Sequence, residues 1–168
     1  LTLPTPGRHN AMTRGMWRQL CEVMGRMDDW PGARAVLIRG EGDTAFCSGG
    51  DISEFVQDLG DVGRARSGEA HVLAALTAVE ACRIPTLASI HGICMGGGLA
   101  LALACDLRHA TRDARFKIPA GRVGLGYGWP SVKRMVDVLG SARAAEVLLT
   151  ARSYDGIEAE RFGIVHAA

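Results

Sequence analysis

His91-Gly92-Ile93-Cys94-Met95-Gly96-Gly97-Gly98, continuing without a break into Leu99-Ala100-Leu101-Ala102-Leu103-Ala104 and Cys105-Asp106-Leu107, is the stretch whose reading decides the fold. Upstream, Pro85 introduces Thr86-Leu87-Ala88-Ser89-Ile90, a short apolar run of the kind that forms a buried parallel strand. Downstream, Leu99 to Ala104 is apolar on every side and reads as a short buried helix that feeds another strand. The glycines between them can bring backbone close to a ligand and adopt dihedrals closed to other residues. A glycine turn entering a helix also points free N–H groups, backed by the helix dipole, at an anion.

The same pattern occurs once more towards the N-terminus. After Pro31-Gly32 comes the apolar run Ala35-Val36-Leu37-Ile38, then Phe46-Cys47-Ser48-Gly49-Gly50-Asp51-Ile52. Two glycine turns leaving adjacent strands can converge on one oxygen, which is the geometry of an oxyanion hole. Each turn alone has a second reading, in which the glycines only permit close packing of strand on helix. Asp51 fits the cap of the helix it begins.

Working outward, Leu1 to Leu3 is read as the end of a strand broken by Pro4 and Pro6. Asn10 to Thr13 supply cap-type residues before a helix over Arg14 to Asp29, with Leu20, Val23, Met24 and Met27 on one face. Between the two main strands, Glu69 to Glu80 repeats Val72, Leu73, Leu76 and Val79 at helical spacing. Pro130 to Thr150 is helical, split at Gly140-Ser141 with Ser141 as the cap of the second part, and Asp155 opens a further helix. The architecture is α/β throughout, with no sequence repeat and no linker, so residues 1–168 are expected to form a single domain.

Composition narrows the function. With 48% hydrophobic and 22% charged residues the chain can bury a sizeable core. Nineteen basic against eighteen acidic residues, with no long basic run, argue against nucleic acid or an anionic membrane as partner. The five cysteines lie in apolar runs without a C-x-x-C pair and are expected to be buried thiols of a reducing compartment. Without a signal-like N-terminus or an apolar run of membrane-spanning length, the expected location is cytoplasmic, away from membranes. His9, His71, His109 and His166 have no metal-ligand spacing, and His91 is expected to satisfy backbone at a strand end; no metal is implied.

Taken in order, Arg8-His9-Asn10-Ala11-Met12, Ala45 to Ile52, Pro85 to Ile90, Gly92 to Asp106, Phe116, Pro119 and Gly124 resemble the enoyl-CoA hydratase/isomerase (crotonase) family along essentially the whole chain. The resemblance implies a ββα superhelix that binds a bent acyl-CoA thioester, with no separate cofactor. It places the amides of Gly50 and Gly97 on the thioester oxygen and counts Gly96 among the residues that bind the CoA thioester. Cys47, Ser48, Gly50 and Ile52 would line the path of the CoA adenine and pantetheine, and Arg8 would meet a CoA phosphate or lie solvated in its loop. It further implies a homotrimer, or a hexamer built as a dimer of trimers. Measured against the family, the chain is expected to be a single acyl-CoA-binding domain, incomplete at both ends, that lacks the C-terminal helical region.

Two departures bear on the chemistry. Family members that hydrate enoyl-CoA carry one glutamate two residues beyond the glycine triplet and another after the proline of the later loop; those positions are Ala100 and Ala120 here. Alanine cannot orient or deprotonate water, and one positioned acid or base contributes about 10²–10⁴-fold. Glu54 and Asp58 follow the first glycine turn and are read as surface helix residues. The remaining polar candidate is Tyr127, in Gly124-Leu125-Gly126-Tyr127-Gly128-Trp129, because the family's decarboxylase branch carries a tyrosine at the matching place, although that branch has a histidine where this chain has Gly50. Arg122 is a lesser candidate, for a substrate carboxylate or a surface salt bridge. The expected function is enolate stabilisation on an acyl-CoA, with hydration disfavoured. The alternatives are a CoA-thioester decarboxylase or hydrolase and a non-catalytic acyl-CoA-binding subunit.

Overall fold

The computed structural model describes residues 1–57 and 60–168; Asp58 lies outside the described residues. Two sheets carry the fold. The first is wholly parallel, in the order β1 (Thr2–Leu3), β2 (Val36–Gly40), β4 (Thr86–Ile90), β6 (Leu107–Ala110). The second runs β3 (Ala45–Cys47), β5 (Ile93–Met95), β7 (Arg115–Lys117), β8 (Tyr154–Asp155), with only the last pair antiparallel.

From β2 to β7, consecutive strands alternate between the sheets. β2 and β3, then β4 and β5, then β6 and β7, each place one strand in the first sheet and the next in the second before the chain turns helical. This is the ββα coil implied by the family resemblance. The strands β3 and β5 of the second sheet are a correction to the sequence reading, which took Phe46 and Cys47, and Ile93 to Met95, as parts of glycine turns. Three residues are too few to show an alternation of period two. No sequence repeat marks the units because their helical parts differ: α2 (Ile52–Gln57) and α3 (Val62–Glu80) follow β3, α4 (Gly97–Ala104) follows β5, and a single 3-10 turn (Ala120–Arg122) precedes α5 (Trp129–Leu139).

Other boundaries follow from capping. α1 (Arg14–Met24) is capped by Thr13, whose side chain accepts from the Met16 amide; it ends before Gly25, and Met27–Asp29 forms a 3-10 turn rather than continuing it. Leu20, Met24 and Met27 are buried as expected, with Val23 half-buried. α3 starts seven residues before the Glu69 at which its helical pattern was expected to begin, because Asp61 caps it through the Arg64 amide. Ser141 is the first residue of α6 (Ser141–Thr150), not its cap; Gly140 holds that place and no side chain caps the helix. Asp155 opens α7 (Gly156–Phe162) in a reciprocal capping box with Glu158.

The core runs between the sheets and the helices. Ile38, Phe46, Phe116, Leu101 and Leu103 are fully buried, each worth about 1.5–3 kcal/mol of transfer free energy. β2 alternates in burial, with Val36 and Ile38 inward and Leu37 46% exposed, so it is covered on one face rather than both. Asn10 is not a cap. It is wholly buried with φ 54°, its Nδ2 donates to the carbonyls of Glu41 and Ala45, and its Oδ1 accepts from the Thr5 amide, tying the N-terminal loop to the β2–β3 connection. Buried Arg108 plays the same part near the other end, donating to the carbonyls of Cys105 and Ile164, while its amide donates to His166 Nδ1. Cys47, Cys94 and Cys105 are buried, whereas Cys21 and Cys82 are only half-buried.

Candidate functional site

The two glycine turns meet. Gly49 has φ +109°, a region L side chains rarely enter, and a Cβ there would lie 3.1 Å from the Met95 carbonyl and 3.3 Å from the Gly97 nitrogen. The first turn therefore lies directly on the second. It is held there by β-type pairing with the N-terminal loop, in which the Met12 amide donates to the Gly49 carbonyl and the Asp51 amide to the Met12 carbonyl. Gly98 fixes the approach of α4: a Cβ on it would lie 2.2 Å from the Cys47 carbonyl, so the close strand-on-helix packing foreseen as an alternative role for these glycines is present too.

Gly50 and Gly97 face each other across this contact, a Cβ on Gly97 lying 3.6 Å from the Gly50 nitrogen. Among the described residues neither amide donates to a protein acceptor, since Gly97 is the first residue of α4 and Gly50 lies outside the hydrogen bonds of the Met12 pairing. Both residues line a cavity of about 460 Å³ between the turns, α1, α2, α3 and the loop before α5. That volume suits a small-molecule site with a mainly apolar wall.

The wall residues can now be set against the sequence reading. Tyr127 lines the cavity, and its hydroxyl oxygen lies 3.8 Å from where a Gly96 Cβ would be, so it stands over the second turn rather than packing away beside Trp129, which is 71% exposed. Burial pushes the Tyr127 phenol up to about 12, which keeps its proton available for donation at neutral pH. Ala100 lines the same cavity. Phe55, Val72 and Leu73 line it as well, whereas His71 and Leu76 do not.

The side chains expected along the CoA path are spread differently. Cys47 is fully buried, its thiol pushed up to about 12 by desolvation and set against Gly49, so its side chain cannot face a ligand. Ser48 is half-buried and its hydroxyl donates to the Arg8 carbonyl. Ile52 is 75% exposed at the start of α2. Arg8, on an exposed 3-10 turn, keeps its side chain largely in solvent while its guanidinium pairs with Asp51. Asp51 is the α2 cap, accepting from the Ser53 amide and hydroxyl; these bonds, then Arg8, hold its carboxyl below the usual range.

Other expectations are corrected. Glu54 is not a free surface residue: it lines the cavity and accepts from the Arg14 amide, closing the first turn of α1 from outside. Arg122 is exposed and forms no salt bridge among the described residues. The His91 side chain does not satisfy backbone: its carbonyl accepts from the Phe46 amide, but its Nε2 is buried without a partner. Among the described residues no group of three His, Cys, Asp or Glu could hold a metal, and no helix is long and apolar enough to cross a membrane.

Sequence reasoning missed Met12, Trp17 and Glu69. Trp17 is 2% exposed, lines the cavity and would lie 3.2 Å from a Cβ on Gly97. Helical periodicity places Trp17 and Leu20 on one face, but only the contact of α1 with the second turn marks that face as part of a cavity.

The family model described as Enoyl-CoA hydratase/isomerase matches residues 1–168. The chain is 33% identical, over 98% of its length, to a peroxisomal Delta(3,5)-Delta(2,4)-dienoyl-CoA isomerase of Arabidopsis thaliana, of which it covers 63%. It is also 33% identical, over 98% of its length, to a probable enoyl-CoA hydratase of Mycobacterium tuberculosis, of which it covers 62%. A crystal structure of an enoyl-CoA hydratase/carnithine racemase from Magnetospirillum magneticum superposes with a TM-score of 0.94 at 34% identity, covering 99% of this chain and 62% of that one. The chain thus spans a little under two thirds of the length of these relatives. On the whole-chain match, these relatives and the shared ββα coil, the chain belongs to the enoyl-CoA hydratase/isomerase family.

Proposed function

We propose that the chain is the acyl-CoA-binding part of an enzyme that stabilises a thioester enolate with the backbone amides of Gly50 and Gly97. The observation that supports this reading is that Gly50 and Gly97 lie side by side at the wall of a largely apolar cavity, and that among the described residues neither amide donates to a protein acceptor. Protons alpha to a thioester are weakly acidic, and the negative charge left by removing one collects on the oxygen. Two preorganised donors in a dry site stabilise that charge in the transition state more than they stabilise the ground-state carbonyl. No cofactor is needed, because CoA arrives as part of the substrate.

Hydration by the route of the glutamate-bearing family members does not fit this wall. Ala100 lines the cavity with a methyl group, and Ala120 is buried in the 3-10 turn before α5, so neither position can activate water. The location of the Tyr127 hydroxyl over Gly96 favours a second reading, a thioester decarboxylase or hydrolase of the same superfamily. Loss of CO₂ generates the same enolate without a base, and a phenol donates to the departing carboxylate. Assembly as a trimer or hexamer is part of the proposal and rests on family resemblance.

The test is to incubate the protein in D₂O with butyryl-CoA, crotonyl-CoA and methylmalonyl-CoA and follow each by mass spectrometry. Deuterium entering butyryl-CoA at C2, with slow or no addition of water to crotonyl-CoA, supports enolate stabilisation without efficient hydration. Loss of CO₂ from methylmalonyl-CoA selects the second reading. Rapid hydration would overturn the assignment of consequence to Ala100 and Ala120, and no binding of any ester would overturn the proposal.

A further inference from the structure

β6 is the last strand of the parallel sheet, and the stretch that follows α7 lies along its edge. Two rungs of that pairing are backbone bonds. The His166 amide donates to the Arg108 carbonyl at 2.9 Å and the Ala110 amide to the Ala167 carbonyl at 2.9 Å, with His109 bridged to Ala167 in parallel. The third rung is a side chain. The Arg108 amide donates to His166 Nδ1 at 3.1 Å, and a guanidinium nitrogen of Arg108 lies 3.5 Å from Nε2 of the same ring. Both ring nitrogens thus face donors. A neutral imidazole has one acceptor nitrogen, which the amide uses; an imidazolium has none.

The charge around the ring is one-sided. Arg108 is buried with its guanidinium on the carbonyls of Cys105 and Ile164, and among the described residues no carboxylate lies within ion-pair distance of it or of His166. Asp106, the acidic neighbour of Arg108, is held by the amide and hydroxyl of Thr86. The other charged or titratable groups beside this pair are Arg134 of α5, which donates to the carbonyls of Leu103, Ala104 and Cys105, and His109 of β6. Desolvation, then the Arg108 charge, holds His166 below the ordinary histidine range, against an opposing pull from the Arg108 backbone. His166 is exposed, so solvent protons reach it.

We propose that His166 is a pH-sensitive latch on the edge of β6: protonation removes the acceptor of the Arg108 amide and sets a second positive charge against the Arg108 guanidinium, so that residues 165–168 leave the strand. The amides of Arg108 and Ala110 are then open to solvent. Because the folded ring titrates below the ordinary value of 6.5, the latch is fully closed above that value and opens as pH falls through the lower folded value.

The experiment follows hydrogen exchange of the Arg108 and Ala110 amides by NMR at about pH 7.5 and about pH 5, each rate divided by its intrinsic value at that pH, which brackets the histidine range. Wild type is compared with His166→Asn, whose side-chain oxygen stands in for Nδ1 without titrating, and with His109→Asn. Protection of both amides in wild type should fall by about tenfold at the lower pH, the weight of one net hydrogen bond, while strands β2 and β4 keep theirs. The fall should persist in His109→Asn and vanish in His166→Asn, with unfolding temperatures near neutral pH unchanged. Protection independent of pH in wild type, or an equal fall in His166→Asn, would overturn the latch; a fall abolished only in His109→Asn would move the switch to the neighbouring ring and overturn the assignment to His166.

Discussion

Replacing Gly97 by alanine separates catalysis from folding. The added methyl would lie 3.6 Å from the Gly50 nitrogen and 3.2 Å from Trp17 Cζ2. An oxygen accepting from the Gly50 amide must come within about 2.9 Å of that nitrogen, so the methyl crowds the space between the two amides that the oxygen has to enter. Losing one oxyanion donor costs about 3–4 kcal/mol of transition-state stabilisation, and the expected loss of C2 hydrogen exchange is about 10²–10³-fold. Stability responds in another way. Gly97 opens α4 with an ordinary negative φ, so alanine gains helix propensity, at most about 1 kcal/mol. Against this, Trp17 must yield by a few tenths of an ångström, which offsets a gain of that size. The net change is expected to stay within about 1 kcal/mol. Deuterium entry into butyryl-CoA in D₂O and thermal unfolding, run on the same preparation, read the two effects separately. Gly98→Ala is the contrast: its methyl would meet the Cys47 carbonyl at 2.2 Å, and that variant should fail to fold. Exchange at the wild-type rate in a folded Gly97→Ala protein would refute the role given to the two amides, and unfolding of that variant would refute the claim that the pair is spatially separable from the core.

Tyr127→Phe removes only the hydroxyl above Gly96; acyl-CoA affinity and unfolding temperature should hold while turnover of a carboxylated thioester falls by at least about tenfold, and unchanged turnover would assign Tyr127 to packing. Asn10→Ala leaves the carbonyls of Glu41 and Ala45 and the Thr5 amide without their partner in a buried place, and urea denaturation should show a loss of about 3 kcal/mol. Asp51→Ala removes the α2 cap and the partner of Arg8 at an expected cost of about 1 kcal/mol at neutral pH. Because folding lowers the Asp51 pKa, its stabilisation is full above the ordinary value of 3.8 and fades as pH falls through the lower folded value. The gap between wild type and Asp51→Ala in urea titrations should therefore close in that acid range, and a gap independent of pH would contradict the ionised cap.

The sequence by itself determined the covalent order of the fold and the chemistry of its turns. The apolar runs at Val36 and Thr86, the helical stripe at Val72 to Val79 and the glycine turns at Gly49 and Gly96 are local patterns, set by periodicity and by backbone freedom over a few neighbouring residues, and each lies where it was read. The family resemblance depends on the same local motifs. What only the tertiary structure decided is which of these patterns meet. The three-residue strands β3 and β5 are visible only as members of a second sheet, because their pairing energy comes from neighbours about fifty residues away. Cys47 turned inward and Glu54 turned to the Arg14 amide for the same reason: adjacent residues share a motif in sequence but face opposite sides of a strand or different elements across a turn. Glu69 was read only as the first residue of a helical pattern, yet the fold lays it against Gly128, 59 positions away in the sequence, at the wall of the cavity. Long-range packing, which no local pattern encodes, selects which carboxylate lines the cavity and which faces open water.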